Sequence, residues 1–300
     1  AEITALGETS PVTASASPLE VLFAEEPGLV IETSRPHLTT KILEEHGVPY
    51  RELGSVARNG TLVEVWVNGS EVLSEEMPAL RAIWEETSFE LDLVKGVNPD
   101  CVESERAWAR DLLLPPPAKL TFVPSATVLG GHKPRVAVLR DPGSNGDAEM
   151  KAAFKTAGFD AVDVNTHDLL AGGVTLADFV GLALVGGFSR KDVMGAGKAW
   201  ATILRFENRV RAEFDRFYER DDTFSFSVCN GFQLASLMGW FAPKLPPERA
   251  PRLVRNLSER FESRLSWVKI EESPAIMLSG MAGSILPVWV AHGEGRLHVP

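Results

Sequence analysis

A chain of 300 residues, 44% hydrophobic and 24% charged, has ordinary globular composition and room for two domains. Its formal net charge of -11 argues against nucleic acid or an anionic membrane surface as the main partner. No apolar run approaches the roughly 20 residues of a membrane span, and the opening Ala1–Gly7 has neither a basic start nor an apolar signal core. That opening also lacks an initiator Met, which leads to the expectation of a processed, excised or truncated chain.

In chain order, residues 1–17 are rich in Ser, Thr, Ala and Pro and read as a flexible lead-in. Residues 18–112 read as a small α+β domain. Leu19–Glu26 looks helical, Gly28–Thr33 looks like a strand, and Leu38–His46 looks like a helix closed by Gly47. Leu62–Leu73 reads as a hairpin turning at Asn68-Gly69, and 75–95 and 99–112 as helices with Trp84 and Trp108 as packing anchors. Proline and glycine crowd 113–133, the mark of a linker.

Residues 134–300 then alternate strands with helices. Strands are expected at 135–139, 161–164, 181–185 and 223–228, with helices at 147–157 and within 194–218. Further strands are expected at 264–270 and 286–291. The overall class is α/β, a doubly wound and mostly parallel sheet preceded by the smaller α+β domain.

Cys101 and Cys229 are the two cysteines, which excludes a disulfide framework and fits a reducing, cytoplasmic setting. The six histidines show no Cys/His metal spacing, so no metal site is expected; His37, His46 and His132 sit in polar, surface-type contexts.

The segment Thr223–Gln233 carries the most chemistry. Phe224, Phe226 and Val228 alternate with Ser225 and Ser227, the period of a buried strand, and an apolar helical run follows Gly231. Strand, cysteine, tight corner and helix make a nucleophile elbow. A thiol there faces a helix N-terminus, which favours the thiolate; a small buried hydrophobe is the other reading of Cys229.

Three strands end in loops that a parallel sheet brings to one edge: Arg140–Gly146, Gly186–Ser189 and Cys229–Gly231. A thiolate attacking an amide carbonyl needs N–H donors for the oxyanion, and the backbone N–H groups of Asn230 and Gly187 are the natural ones. Neither a P-loop nor a dinucleotide G-x-G-x-x-G run follows a strand, so these glycines do not read as a phosphate cradle.

Val185–Ser189, Cys229–Gln233 and Pro142–Asn145 together resemble the glutaminase domain of the formylglycinamidine ribonucleotide synthases, a triad-type (class I) glutamine amidotransferase domain. The likeness continues through Asp192–Gly197, Arg255–Arg264 and His292–Arg296. Through Leu22–Glu26 and Leu80–Ser88 the first 112 residues resemble the end of the synthetase domain in the large single-chain form. The resemblance implies that Cys229 attacks the side-chain amide of glutamine, releases ammonia and leaves a glutamyl thioester for water to hydrolyse. It implies glutamine-pocket positions for Phe188, Gln233 and Asn145. It also implies ATP and Mg2+ bound outside this chain, with no cofactor for the glutaminase part and the remainder of the synthetase polypeptide as partner.

The general base is where the sequence departs from the pattern. His292-Gly-Glu294 offers a His-x-Glu pair, but the family's base sits in a later His-Pro-Glu motif, which does not occur in these 300 residues. His292 and Glu294 are therefore expected to be structural or pocket-lining, with a triad role the second reading. The glutaminase domain, 134–300, is expected to be incomplete at its C-terminal side. Arg190 and Lys191 place charge beside the Gly-Gly-Phe-Ser loop, with an expected effect on glutamine binding or docking. Two other readings remain, a catalytically silent structural module and a different cysteine hydrolase on the same elbow.

Overall fold

The computed structural model describes residues 2–3, 16–25, 28–56, 60–110, 116–124 and 131–300. It falls into two units, 1–113 and 114–300. Most of the lead-in (1 and 4–15) and part of the linker (113–115 and 125–130) lie outside the described residues.

In the first unit, β1 (Glu2–Ile3) is followed by α1 (Pro18–Leu22), α2 (Pro36–Glu45), β2 (Leu62–Val67), β3 (Ser70–Glu76), α3 (Met77–Val94) and α4 (Pro99–Arg110). Ser17 and Glu20 form a capping box on α1. Asn68 and Gly69 take the left-handed φ values, 51° and 78°, that a two-residue hairpin needs, and Val67 pairs with Ser70 across the turn. Sheet order is β1-β2-β3. Helices α3 and α4 close on Phe89, Val97, Val102 and Ala109, with Leu93 beside them. Arg106 reaches from α4 to Glu86 and Glu90 of α3.

Two expectations fail here. Gly28–Thr33 forms no strand: no neighbour supplies a ladder among the described residues, and Leu29 and Val30 stand 93% and 85% exposed. Nor are Trp84 and Trp108 anchors, at 85% and 66% exposure. Trp84 lies five residues from Phe89, about 140° round the helix from the face that α4 covers.

The second unit holds β4 (Arg135–Arg140), α5 (Asp147–Thr156), β5 (Asp160–Asn165), α6 (Thr166–Ala171), β6 (Gly181–Leu184), α7 (Lys198–Phe206), α8 (Asn208–Glu219), β7 (Phe224–Ser227) and α9 (Asn230–Met238). Four parallel strands run in the order β5-β4-β6-β7. Alternation along β4 serves two cores. Ala137 and Leu139 join Leu182, Leu184, Trp200, Leu204, Phe214 and Leu234 on the face covered by α7, α8 and α9. Val136 and Val138 join Ala183, Val185 and Phe154 of α5 on the other. Helices on both faces make the sheet doubly wound.

The strand before Cys229 is less buried than its alternation suggested. Strand β7 is an edge of the described sheet; Phe224 packs against Phe154 and Phe159, but Phe226 and Val228 are 37% and 39% exposed. At the start of β6, a Cβ on Gly181 would come 2.6 Å from the Phe224 ring and 2.8 Å from the Val136 side chain.

Beyond α9 come β8 (Arg252–Val254), β9 (Glu262–Lys269), β10 (Ile285–His292) and β11 (Arg296–His298). Strands β9 and β10 pair antiparallel from Ile285↔Lys269 to His292↔Glu262, and β11 pairs with β8. This hairpin delivers residues 291–295 to the site described next. Among the described residues no helix is long and apolar enough to cross a membrane.

Candidate functional site

The loops that follow β4 and β6 are stitched together at the carboxyl edge of the sheet. Asn145 N–H donates to the Gly186 carbonyl (3.2 Å), Phe188 N–H to Gly143 (2.9 Å) and Arg190 N–H to Pro142 (2.7 Å). The Ser144 and Ser189 hydroxyls lie 3.0 Å apart. Glycine is required for this approach. Gly187 has φ +133°, and a Cβ there would meet Asn145 N at 2.7 Å; one on Gly143 (φ +100°) would meet the Phe188 carbonyl oxygen at 2.3 Å.

A charged pair closes the same seam. Arg190 donates from Nε to Asp141 Oδ2 (2.6 Å) and from Nη2 to Oδ1 (3.1 Å), and Asp141 is 1% exposed. The charge of Arg190 is thus spent inside the protein rather than offered to a ligand. Lys191 is exposed and makes no ion pair among the described residues.

Cys229 stands at the corner between β7 and α9 with φ 52° and ψ -116°, a conformation that L-residues avoid. Val228 N–H still donates to Leu184, while the Cys229 carbonyl already accepts from Phe232 and Gln233, so strand becomes helix within one residue. Gly231 makes the corner possible: a Cβ there would lie 2.2 Å from the Leu184 carbonyl oxygen. The Cys229 side chain is exposed. Gly186 packs under it, where a Cβ would sit 3.2 Å from that of Cys229.

Several N–H groups at this corner have no acceptor among the described residues, those of Asn230 and Gly187 among them. Asn230 begins α9, where N–H groups have no acceptor within the helix, and neither it nor Gly187 donates to any group among the described residues. Sequence reasoning singled out both donors. The sulfur makes one hydrogen bond among the described residues, to the Ala291 carbonyl at 3.6 Å.

Gln233 is buried with its amide engaged. Its Oε1 accepts from Asn230 Nδ2 and its Nε2 donates to the Glu294 carbonyl, both at 2.9 Å. Asn230 Oδ1 in turn accepts from Ser189 N–H at 3.2 Å. The Glu294 carboxylate accepts from Ala196 N–H, inside a stretch where Arg190, Lys191, Asp192, Met194 and Ala196 all have positive φ. Phe188 is half exposed, its ring 6.4 Å from that of Phe261, and Asn145 lies exposed on its loop.

His292 and Glu294 do not engage each other. His292 Nδ1 lies 3.0 Å from Asn256 Oδ1, and Asn256 Nδ2 donates to the carbonyls of His292 and Arg260. With its amide hydrogens so used, Asn256 Oδ1 is the acceptor, Nδ1 carries the proton and Nε2 is the basic nitrogen. Cys229 and His292 share no hydrogen bond among the described residues. Sequence reasoning missed Asn256, Asp141 and the serine pair; Asn256 falls within the Arg255–Arg264 stretch but carries no local sign of its role. No group of three or more His, Cys, Asp or Glu side chains that could hold a metal ion occurs among the described residues.

Residues 133–300 match the CobB/CobQ-like glutamine amidotransferase domain. The chain is 46% identical over 298 residues to the phosphoribosylformylglycinamidine synthase of Homo sapiens, an alignment covering 92% of this chain and 22% of that protein. It is 45% identical over 291 residues to a probable phosphoribosylformylglycinamidine synthase, chloroplastic/mitochondrial, of Arabidopsis thaliana, covering 94% of this chain and 20% of that one. A solved structure of PurLQS from Thermotoga maritima aligns at 26% identity and a TM-score of 0.47, over 56% of this chain and 71% of its own. The chain spans about a fifth of the length of the curated relatives it matches. On the match over residues 133–300, the chain belongs to the family of CobB/CobQ-like glutamine amidotransferase domains.

Proposed function

We propose that this chain is the glutamine-hydrolysing, ammonia-supplying part of a phosphoribosylformylglycinamidine synthase. The whole enzyme would convert formylglycinamide ribonucleotide, glutamine, ATP and water to formylglycinamidine ribonucleotide, glutamate, ADP and phosphate in purine biosynthesis. Residues 18–112 would be the end of its synthetase domain and 134–300 its glutaminase domain. One observation carries the reading: Cys229 is exposed at a left-handed strand–helix corner, beside unspent N–H groups of Gly187 and Asn230.

In this reading the Cys229 sulfur bonds to the side-chain amide carbon of glutamine, and the carbonyl electron pair becomes an oxyanion held by the two N–H groups. Collapse breaks the carbon–nitrogen bond, ammonia leaves with the added proton, and water hydrolyses the thioester to glutamate and free thiol. Phe188 and Asn145 would bound the glutamine pocket. Gln233, with its amide engaged, would shape that pocket through Asn230 and Glu294. His292 shares no hydrogen bond with the Cys229 sulfur, which supports a general base other than His292.

ATP and Mg2+ would act elsewhere in the polypeptide. A cytosolic setting suits a chain whose two cysteines are both free.

The test is peptide mapping after treatment with a diazo-ketone analogue of glutamine, Cys101 serving as internal control. Labelling of Cys229 that glutamine suppresses is the expected result. Equal labelling of both cysteines, indifferent to glutamine, would sink the proposal.

A further inference from the structure

Asp141 has no part in the attack just described, yet it is a carboxylate with 0% of its side chain exposed, met by a guanidinium fork from Arg190. Arg190 reaches it from a backbone at φ 56° and ψ 36°, a region that arginine disfavours. Fork geometry of this kind fixes direction as well as distance.

What the pair holds is the seam around Gly187. The three N–H groups after Gly187 are all committed: Phe188 to Gly143, Ser189 to Asn230 Oδ1, and Arg190 to Pro142. Asn145 N–H takes the Gly186 carbonyl on the other side. Gly187 N–H alone in the 187–190 stretch stays unspent, and the Asp141–Arg190 pair locks the end of the seam that carries it. A buried carboxylate stripped of its counter-charge must take up a proton or move toward water, and either change loosens the hold on Pro142, Gly143 and Ser144.

From this we infer that Asp141 and Arg190 form a positioning pair that aims the Gly187 N–H at the developing oxyanion. The inference rests on the glutaminase reading and deepens it. Neither side chain touches substrate; both act through the backbone of residues 142–144 and 187–190.

Two electrophiles separate positioning from general disruption. A γ-aldehyde analogue of glutamine forms a sulfur–carbon bond at Cys229 while its carbonyl pair becomes an alkoxide that takes up the thiol proton, so it needs the oxyanion donors. Iodoacetamide forms a sulfur–carbon bond as iodide leaves and the proton passes to solvent, so it does not. Arg190→Ala should weaken the aldehyde adduct roughly tenfold or more, part of the ~100-fold that loss of an oxyanion donor costs. Alkylation of Cys229 should change by less than about twofold, because no oxyanion forms. Arg190→Lys keeps the charge without the fork and should recover part of the adduct. The neutral pair Arg190→Gln with Asp141→Asn, which leaves no unpaired buried charge, should recover most of it.

Equal changes with both electrophiles, or no change with either, would overturn the inference. If Arg190→Ala fails to fold, Arg190→Lys decides: a weakened adduct with normal alkylation supports the inference, and an adduct equal to the parent's overturns it. A parent chain that alkylates at Cys229 but never forms the aldehyde adduct would bring down the glutaminase reading, and this inference with it.

Discussion

Cys229 holds a conformation that costs on the order of 1–3 kcal/mol for a residue with a Cβ. It persists because β7 and α9 are each anchored, by Val228 to Leu184 and by Phe232 and Gln233 to the Cys229 carbonyl. Replacement by glycine or by alanine removes the sulfur equally, and only glycine relaxes the φ of 52°. Cys229→Gly should therefore be more stable than Cys229→Ala by about 1 kcal/mol, after the entropy glycine loses on folding is set against the relief. Urea unfolding of the two variants measures the difference, and a more stable alanine variant would refute the strain. The elbow was legible in the sequence because its parts are neighbours: alternating Phe and Ser, then Cys-Asn-Gly, then an apolar helix. The Asn256–His292 and Ala196–Glu294 contacts join residues 36 and 98 positions apart, and no local pattern announces such pairs.

Among the elements, β4 read correctly as an interior strand since both its faces are apolar, and both proved buried. The Asn68-Gly69 hairpin was equally plain, because few other residues tolerate its turn. Gly28–Thr33 was misread because a strand needs a partner as well as a composition. Side chains at the end of β4 add an ionic link between elements. Arg140 hydrogen-bonds Asp163 of β5 at 2.8 Å, and Lys151 of α5 lies 3.5 Å from the same carboxylate. The Arg140 hydrogen bond, outweighing partial burial, holds the Asp163 carboxyl below its ordinary range. A depressed folded-state pKa stabilises the fold above the unfolded value, near 4 for an aspartate. That contribution is lost as the pH falls through the lower folded value. Asp163→Asn should cost up to about 1 kcal/mol at pH 7, the partly exposed setting limiting it. The gap from the parent should shrink toward zero as the pH falls below the folded value. Denaturant melts across that range would show a constant gap if the ion pair contributed nothing.

At the scale of the whole molecule, the chain contains two tyrosines, so its alkaline titration can be resolved. Burial pushes the Tyr218 phenol up to about 12, under the stacked ring of Trp240. Tyr50 is also raised, chiefly by its hydrogen bond to Glu44. A raised folded-state pKa means that the stability tied to neutral Tyr218 is complete below about 10, the unfolded value, and is lost as the pH climbs toward the folded one. Ultraviolet titration of a Tyr50→Phe variant should show the remaining phenol ionising near 12 or together with unfolding. Ionisation near 10 with the fold intact would contradict the burial.

The glycines of the second unit divide by what a side chain would strike. Gly181 faces the movable ends of Phe224 and Val136, whereas Gly231 faces the Leu184 carbonyl and Gly143 that of Phe188. Side chains can be trimmed by a second mutation; peptide groups cannot. In a screen for second-site suppressors, Gly181→Ala should yield revertants at Phe224 or Val136, while Gly231→Ala should return only to glycine. The corner that presents Cys229 is therefore closed to compensated drift, and the sheet beneath it remains open to repacking.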